Sequence, residues 1–321
     1  MPPGTIIFTH GDCDGICSGA LALAANEKAD VHFSNPVSIV DDLDLARGSD
    51  HVIVCDIAIN TAFARPIKNK IGALAKKAEV TYIDHHPLPP RFNVTWLTHD
   101  LKACASELTY AHFHSSLDPD MSRLAIYGAI GDYRENTPLI TELMKTWDKR
   151  SLFYEAGTIS QGIEIGRRDY DYKRELLTTL SKKVLPSQIE KLAKNAVQAS
   201  RQEEEMRLRI EQNIVRMNNV SYVIDPDGFI SKAAIYAHIY GGTCVGVAAE
   251  YLKTKAVYDI SVRAKGDCDL NELVGRAAQK CGGTGGGHPM AAGGRIPGPN
   301  IMEFLEELDA TITASRARKK A

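Results

Sequence analysis

The sequence predicts an α/β protein: a doubly wound parallel sheet domain and a smaller C-terminal α/β domain, joined by a long helix. Three observations carry this. Over residues 1–135, short apolar β-branched runs alternate with helix-like stretches, the pattern of successive βαβ units. From Ser187 to Asn218 apolar residues recur at helical spacing. Beyond Val220 strand-like runs resume, and they end in a glycine-rich segment, Cys281–Gly294. The expected division is a first domain over 1–185, a connector helix over 186–218 and a second domain over 219–321.

Thr5-Ile6-Ile7-Phe8 reads as a short buried strand. It runs into THGDCDGICSGA (9–20), which places His10, Asp12 and Asp14 within five residues. Gly15 and the small residues Ser18, Gly19 and Ala20 let a helix start nearby, expected over Ser18–Glu27. His51–Cys55 is the next strand and leads into Asp56; Val80–Ile83 follows and leads into Asp84-His85-His86. Helices are expected at Ala62–Lys77 and Ser106–Ser115. The apolar run Leu124–Ile130 is grouped with the strands and ends in Gly131-Asp132. Residues 138–185 are helical in composition, punctuated by Pro138 and Pro186.

In the long helix, Ile189, Leu192, Ala193, Ala196 and Val197 form one stripe, and Met206, Ile210, Ile214 and Met217 another in shifted phase. The charged block Arg201–Arg209 between them reads as a partly exposed connector, with packing in the monomer or a homo-oligomer contact as its two uses. In the second domain Val220–Ile224, Val245–Ala249 and Tyr258–Val262 read as strands, and Asp225-Pro226-Asp227-Gly228 as a turn.

Acidic residues and histidines recur at strand ends, and in an open parallel sheet the C-terminal strand ends form the crevice where ligands bind. Five aspartates (12, 14, 56, 84, 132) and three histidines (10, 85, 86) would meet there. Carboxylates at that density repel unless cations lie between them. Two metal ions about 3.5–4 Å apart would neutralise them and clamp both oxygens of a phosphoryl displacement. In GGTGGGHPMAAGG (282–294) the glycines would let backbone N–H groups approach an anion. The segment is no dinucleotide fingerprint, because His288 stands where the third glycine would be.

Net charge is −2, from 38 Lys and Arg against 40 Asp and Glu, so no global basic field holds a long duplex. Arg167-Arg168 and the tail Arg316–Lys320 are the local basic exceptions. The seven cysteines form no CxxC pair, and Cys13 and Cys17 read as buried small hydrophobes rather than zinc ligands. No signal-like segment follows Met1, and no run approaches the ~18–20 apolar residues that span a bilayer. A cytoplasmic protein without a membrane partner is expected.

Together these motifs resemble the DHH phosphoesterase family with its C-terminal DHH-associated domain. HGDCDG is similar to the first family motif, Asp56 to the second, Asp84-His85-His86 to the third and Gly131-Asp132 to the fourth. GGTGGGHPMAAGG resembles the glycine-rich substrate motif, and Ile260-Ser261-Val262-Arg263 the strand whose arginine holds a phosphate. The resemblance implies a two-metal site, usually manganese with magnesium as the other ion. His10, Asp12 and Asp56 would hold one ion, and Asp14, Asp56, His85 and Asp132 the other, with Asp56 bridging. His86 would sit near the phosphate with Asp84 orienting it, and Asp12 or Asp14 would orient the nucleophile. Arg263, His288 and the amides of Gly282, Gly283, Gly285, Gly286 and Gly287 would grip the nucleotide.

The implied activity is a single-strand exonuclease on DNA or RNA, RecJ-like and similar to the compact archaeal branch. That branch implies 3′→5′ polarity and partnership with a repair helicase such as Hef. The same motifs serve oligoribonucleases, 3′-phosphoadenosine phosphate phosphatases and cyclic-dinucleotide phosphodiesterases. A haloacid-dehalogenase-type phosphatase would share Asp12-x-Asp14 but leave the DHH and glycine-rich motifs unexplained. A replication scaffold with a dead site fits poorly with a full set of ligand types.

Overall fold

The computed structural model describes residues 4–266 and 268–320, and the side chains of 317–320 lie outside the description. The chain forms two compact units, the first ending at Ala199 and the second starting at Ser200.

The first unit opens with β1 (Thr5–Thr9), α1 (Cys13–Ala25), β2 (Asp30–Phe33), the short α2 (Ile39–Asp42), β3 (His51–Cys55), α3 (Ala64–Leu74), β4 (Glu79–Asp84) and β5 (Leu97–His99). The strands form an all-parallel sheet in the order β2-β1-β3-β4-β5. The order reverses between β1 and β3, so the chain leaves β1 on one side and returns on the other, which opens a crevice at those two strand ends. Side chains alternate across the sheet with period two. Ile7 and Ile53 join a core with α1 and the later helices, whereas Ile6, Phe8, Val52 and Val54 join one with α2 and α3. Helices therefore cover both faces, as the doubly wound reading requires. β2 and β5, which the strand reading passes over, are edge strands of four and three residues with little apolar content.

The first layer of helices continues with α4 (Ala105–Phe113), α5 (Ser122–Gly131), α6 (Pro138–Met144), α7 (Lys149–Ile165) and α8 (Tyr170–Leu180). Two expectations are corrected here. α1 begins at Cys13 rather than Ser18, because the Asp12 carboxylate caps it by accepting the Gly15 N–H at 2.9 Å. Leu124–Ile130 is helical, not a strand. It is buried almost all round between α1, α4 and α7, so its continuous apolar run carries no period to separate helix from strand.

The connector helix is α9 (Glu190–Asn213), shorter at both ends than 187–218. Its Leu192, Ala199, Met206 and Ile210 are buried, but Val197 is exposed. Chain beyond it turns into β6 (Val215–Arg216), which pairs with β7 (Val220–Ile224).

The second unit continues with α10 (Ile230–Gly241), β8 (Val245–Leu252), β9 (Val257–Ala264), α11 (Leu270–Lys280), β10 (Thr284–Gly287), β11 (Ala291–Pro297) and α12 (Ile301–Lys320). Its sheet runs β10-β11-β9-β8-β7-β6, with only β7 and β8 parallel. Leu270, Val274, Phe304 and Leu308 pack one face. On the other, α10 lies against Gly246, where a Cβ would stand 2.0 Å from the Ala234 carbonyl oxygen. Of the basic tail, the Arg316 guanidinium donates to Asn219 Oδ1 at 3.1 Å; the remaining side chains fall outside the described residues. No helix among the described residues is long and apolar enough to cross a membrane.

Candidate active site

Each acidic motif is delivered to the crevice by the end of an element. His10 follows β1, and Asp12 and Asp14 are the cap and first turn of α1. Asp56 follows β3 with a left-handed backbone (φ 58°), uncommon for a non-glycine residue, and its N–H donates to the Ile83 carbonyl at 2.9 Å. Asp84 closes β4 and precedes His85 and His86. Asp132 ends α5 as its C-cap, so this motif sits at a helix end rather than a strand end.

The structure brings all eight residues together. His10 Nδ1 lies 2.9 Å from Asp12 Oδ2 and 3.8 Å from Asp56 Oδ2. His85 Nε2 is 3.4 Å from Asp56 Oδ1 and 3.8 Å from Asp14 Oδ2, and its Nδ1 is 3.7 Å from Asp132 Oδ2. His86 Nδ1 donates to Asp84 Oδ1 at 2.8 Å and lies 3.9 Å from Asp56 Oδ1. Among the described residues of the first unit, three groups bring ligand atoms within 4.8 Å of one another: His10, Asp12 and Asp56; Asp14, Asp56 and His85; and Asp56, Asp84 and His86. Asp56 is common to all three.

Electrostatics fit a cation-binding centre. Burial pushes the Asp56 carboxyl well above the usual range, and Asp12, Asp14, Asp84 and Asp132 push it further. Burial, then Asp14 and Asp12, raise Asp132 to about 8. Burial works against charge on Asp84 and on His86, but their mutual charge attraction and hydrogen bond together outweigh it, lowering Asp84 and raising His86. Asp56 Oδ2 is buried and accepts no hydrogen bond among the described residues. A carboxylate oxygen desolvated without a donor is costly, and a divalent cation is the partner that this oxygen and nitrogen donor set suits.

Several residues that position the centre carry no motif. The Asp14 carboxylate accepts the backbone N–H groups of Ala105 (2.7 Å) and Ser106 (2.9 Å) at the start of α4. A helix N-terminus favours the charge and fixes its direction. Gly128 of α5 abuts this pair: a Cβ there would lie 2.1 Å from Ser106 Oγ and 2.6 Å from Asp14 Oδ1. His99 Nε2 donates to the His86 carbonyl at 2.7 Å. These depend on contacts between residues distant in sequence, so no local spacing reveals them.

The remaining predicted residues fall in the second unit. Arg263, on β9, donates from Nη1 to Ser261 Oγ at 3.1 Å and from Nη2 to Ser231 Oγ at the start of α10. The glycine-rich segment forms a β-hairpin, with β10 at the sheet edge and His288 in its turn. Three of its amides are already committed. Gly282 donates to the Gln279 carbonyl, Gly283 to the Ala278 carbonyl and Gly287 to Asn271 Oδ1. In the ladder Gly286 faces Gly293, two residues along from the His288–Ala291 pair that exchanges both bonds. Its N–H is therefore turned to β11, and the anion reading narrows to Gly285. Gly283, Gly287 and Gly294 are glycines for closeness of strands: a Cβ on each would stand 2.4–2.5 Å from a neighbouring carbonyl oxygen.

Comparison with known proteins agrees with this two-part architecture. The DHH family N-terminal domain matches residues 5–131 and the DHHA1 domain residues 222–314. No curated protein sequence matches the chain. Among solved structures, RecJ from Thermus thermophilus in complex with Mn2+ has a TM-score of 0.67 at 18% identity, covering 97% of this chain and 52% of that one. The chain thus spans about half the length of that RecJ. An exonuclease RecJ bound to manganese has a TM-score of 0.65 at 17% identity, covering 96% of this chain and 89% of that one. The pGpG-specific phosphodiesterase PggH from Vibrio cholerae has a TM-score of 0.58 at 13% identity, covering 97% of this chain and 99% of that one. At these identities the likeness is one of fold.

Proposed function

Since the chain belongs to the DHH family, with a DHHA1 domain after the DHH domain, we propose that it is a two-metal phosphodiesterase removing nucleotides from the ends of single-stranded DNA or RNA, with 3′→5′ polarity. The observation that carries the reading is Asp56, shared by three ligand clusters and holding a buried oxygen without a donor.

Manganese or magnesium, once bound, would lower the pKa of a water and neutralise the oxygens of the attacked phosphate. His10, Asp12 and Asp56 would hold one ion, and Asp14, Asp56, His85 and Asp132 the other. The chain's own residues do the rest. Helix α4 fixes Asp14 through two amides, and Asp12 is held by its cap bond to Gly15. Asp84 orients the His86 ring through Nδ1 and raises its pKa, which favours the form whose Nε2–H would donate to a non-bridging phosphate oxygen. Arg263, His288 and the Gly285 amide are assigned to the nucleotide on the second unit. A repair helicase such as Hef is the protein partner proposed for this reading.

A second reading, clearance of short oligonucleotides, is suggested by the likeness in fold to the pGpG-specific phosphodiesterase PggH. A product time course separates the two. DNA and RNA of several lengths, labelled at either end, are incubated with manganese beside a blunt duplex. The exonuclease reading expects a ladder shortening from the 3′ end of long single strands. Turnover confined to strands of a few nucleotides would transfer the assignment to the second reading. Equal digestion of blunt duplex, or no hydrolysis with either ion, would overturn both.

A further inference from the structure

A cavity of about 270 Å3 opens within the first unit with His10, Gly11 and Asp12 on one wall and residues outside every acidic motif on the others. Ser34 and Asn35 come from the chain after β2, Ile163 and Glu164 from α7, Arg167 from the turn that follows, and Tyr170 and Lys173 from α8. Against its burial, the Asp12 and Glu164 carboxylates favour the Lys173 charge.

Its chemistry is specific. Lys173 is only 6% exposed, its Nζ donates to the Gly11 carbonyl at 2.5 Å, and no carboxylate forms an ion pair with it among the described residues. A buried ammonium with one carbonyl partner retains two donors for an anion. Tyr170 is 44% exposed, and its ring stacks on Phe33 with centroids 5.7 Å apart and planes at 22°, which makes a supported aromatic platform. The Asn35 side-chain oxygen accepts the N–H groups of Val37 and Ser38, which leaves its amide NH2 as a donor. Gly11 keeps the floor low: a Cβ there would lie 3.2 Å from Lys173 Nζ and 3.6 Å from Tyr170 Cε1.

We propose that this cavity is a nucleotide subsite, holding one nucleotide next to the phosphate under attack, with its base on Tyr170 and its phosphate on Lys173. A buried cation, an aromatic face and an amide donor around one small cavity match the three parts of a nucleotide. The size admits a single nucleotide, so recognition here is of a strand end or a splayed nucleotide and not of a duplex. This subsite rests on the phosphodiesterase reading, to which it adds residues that read the substrate.

The test is calorimetric titration of adenosine 5′-monophosphate into the full chain with chelator present. An Arg263→Ala background keeps the phosphate contact assigned to the second unit out of the measurement. Tyr170→Ala and Lys173→Met should each weaken binding by about tenfold or more, and Tyr170→Phe should retain it. Tyr170 is at the surface, so its variants keep the assay readable if Lys173→Met fails to fold. Binding indifferent to Tyr170→Ala, or no binding at all, would overturn the subsite. Hydrolysis of bis(p-nitrophenyl) phosphate, which has no base, by the wild-type protein with manganese tests the other reading separately. Its absence with Tyr170-dependent nucleotide binding intact would overturn the phosphodiesterase and leave the subsite standing.

Discussion

Raising the pH of the metal-free protein from 6.5 to 8 should lower its stability, and manganese should restore it. The perturbation acts on carboxyls whose folded pKa is raised: Asp132 to about 8, and Asp56 well above its usual value. In the unfolded chain both ionise near the reference value of about 3.9. Between that value and the folded pKa the folded state binds more protons, so unfolding becomes easier as pH rises, by up to about 1.4 kcal/mol per pH unit and group. Asp132 alone then removes about 1.6 kcal/mol over this interval, the slope falling to half at pH 8.

Other shifted groups leave the window clear or act in the same direction. His86, raised above 6.5, also loses stabilisation as pH rises through its folded pKa. His85, lowered, acts only below about 6.5, where rising pH stabilises. Asp84, also lowered, acts in the carboxylate range, far below the window. That loss corresponds to a fall in Tm of about 3–6 °C for a unit of this size. The assay is thermal unfolding of chelator-treated protein at pH 6.5, 7.2 and 8, repeated with saturating manganese. The ion should raise Tm at every pH and most at pH 8. A metal-free Tm flat or rising across the interval, or a manganese shift of equal size at both ends, would refute the account of a centre built to be neutralised by cations.

Asp56→Ala should lower phosphodiester hydrolysis by at least about a thousandfold, and calorimetry should show manganese binding reduced at both proposed ions; near-normal turnover would sink the shared-ligand assignment. Gly128→Ala should cost about 1–3 kcal/mol in denaturant unfolding, because its methyl group would overlap Ser106 Oγ, and should lower activity by displacing Asp14; a silent substitution would show that α5 has room to move. Arg263→Ala and His288→Ala should weaken oligonucleotide binding while leaving manganese binding intact, so calorimetry showing lost ion sites in either variant would contradict their placement on the substrate.

The sequence alone determined the class of fold and the chemistry of the centre. Alternating β-branched runs and helices dictate a parallel sheet, and parallel strands must carry their C-terminal ends to one edge. Asp12, Asp14, Asp56 and Asp84-His85-His86 were therefore legible as one site before any distance was known. Tertiary packing decided what local pattern does not encode. Leu124–Ile130 is helical because it is enclosed by other helices, which erases the periodicity that would mark it. The glycine-rich segment is a hairpin whose glycines admit facing strands, and the amides of Gly282, Gly283 and Gly287 serve the fold. Asp14 is aimed by amides 91 and 92 residues away, and Lys173 reaches Gly11 across 162 residues. Contacts of that separation arise only when elements close on one another, and for that reason the residues supporting the centre and lining its neighbouring cavity come from the structure alone.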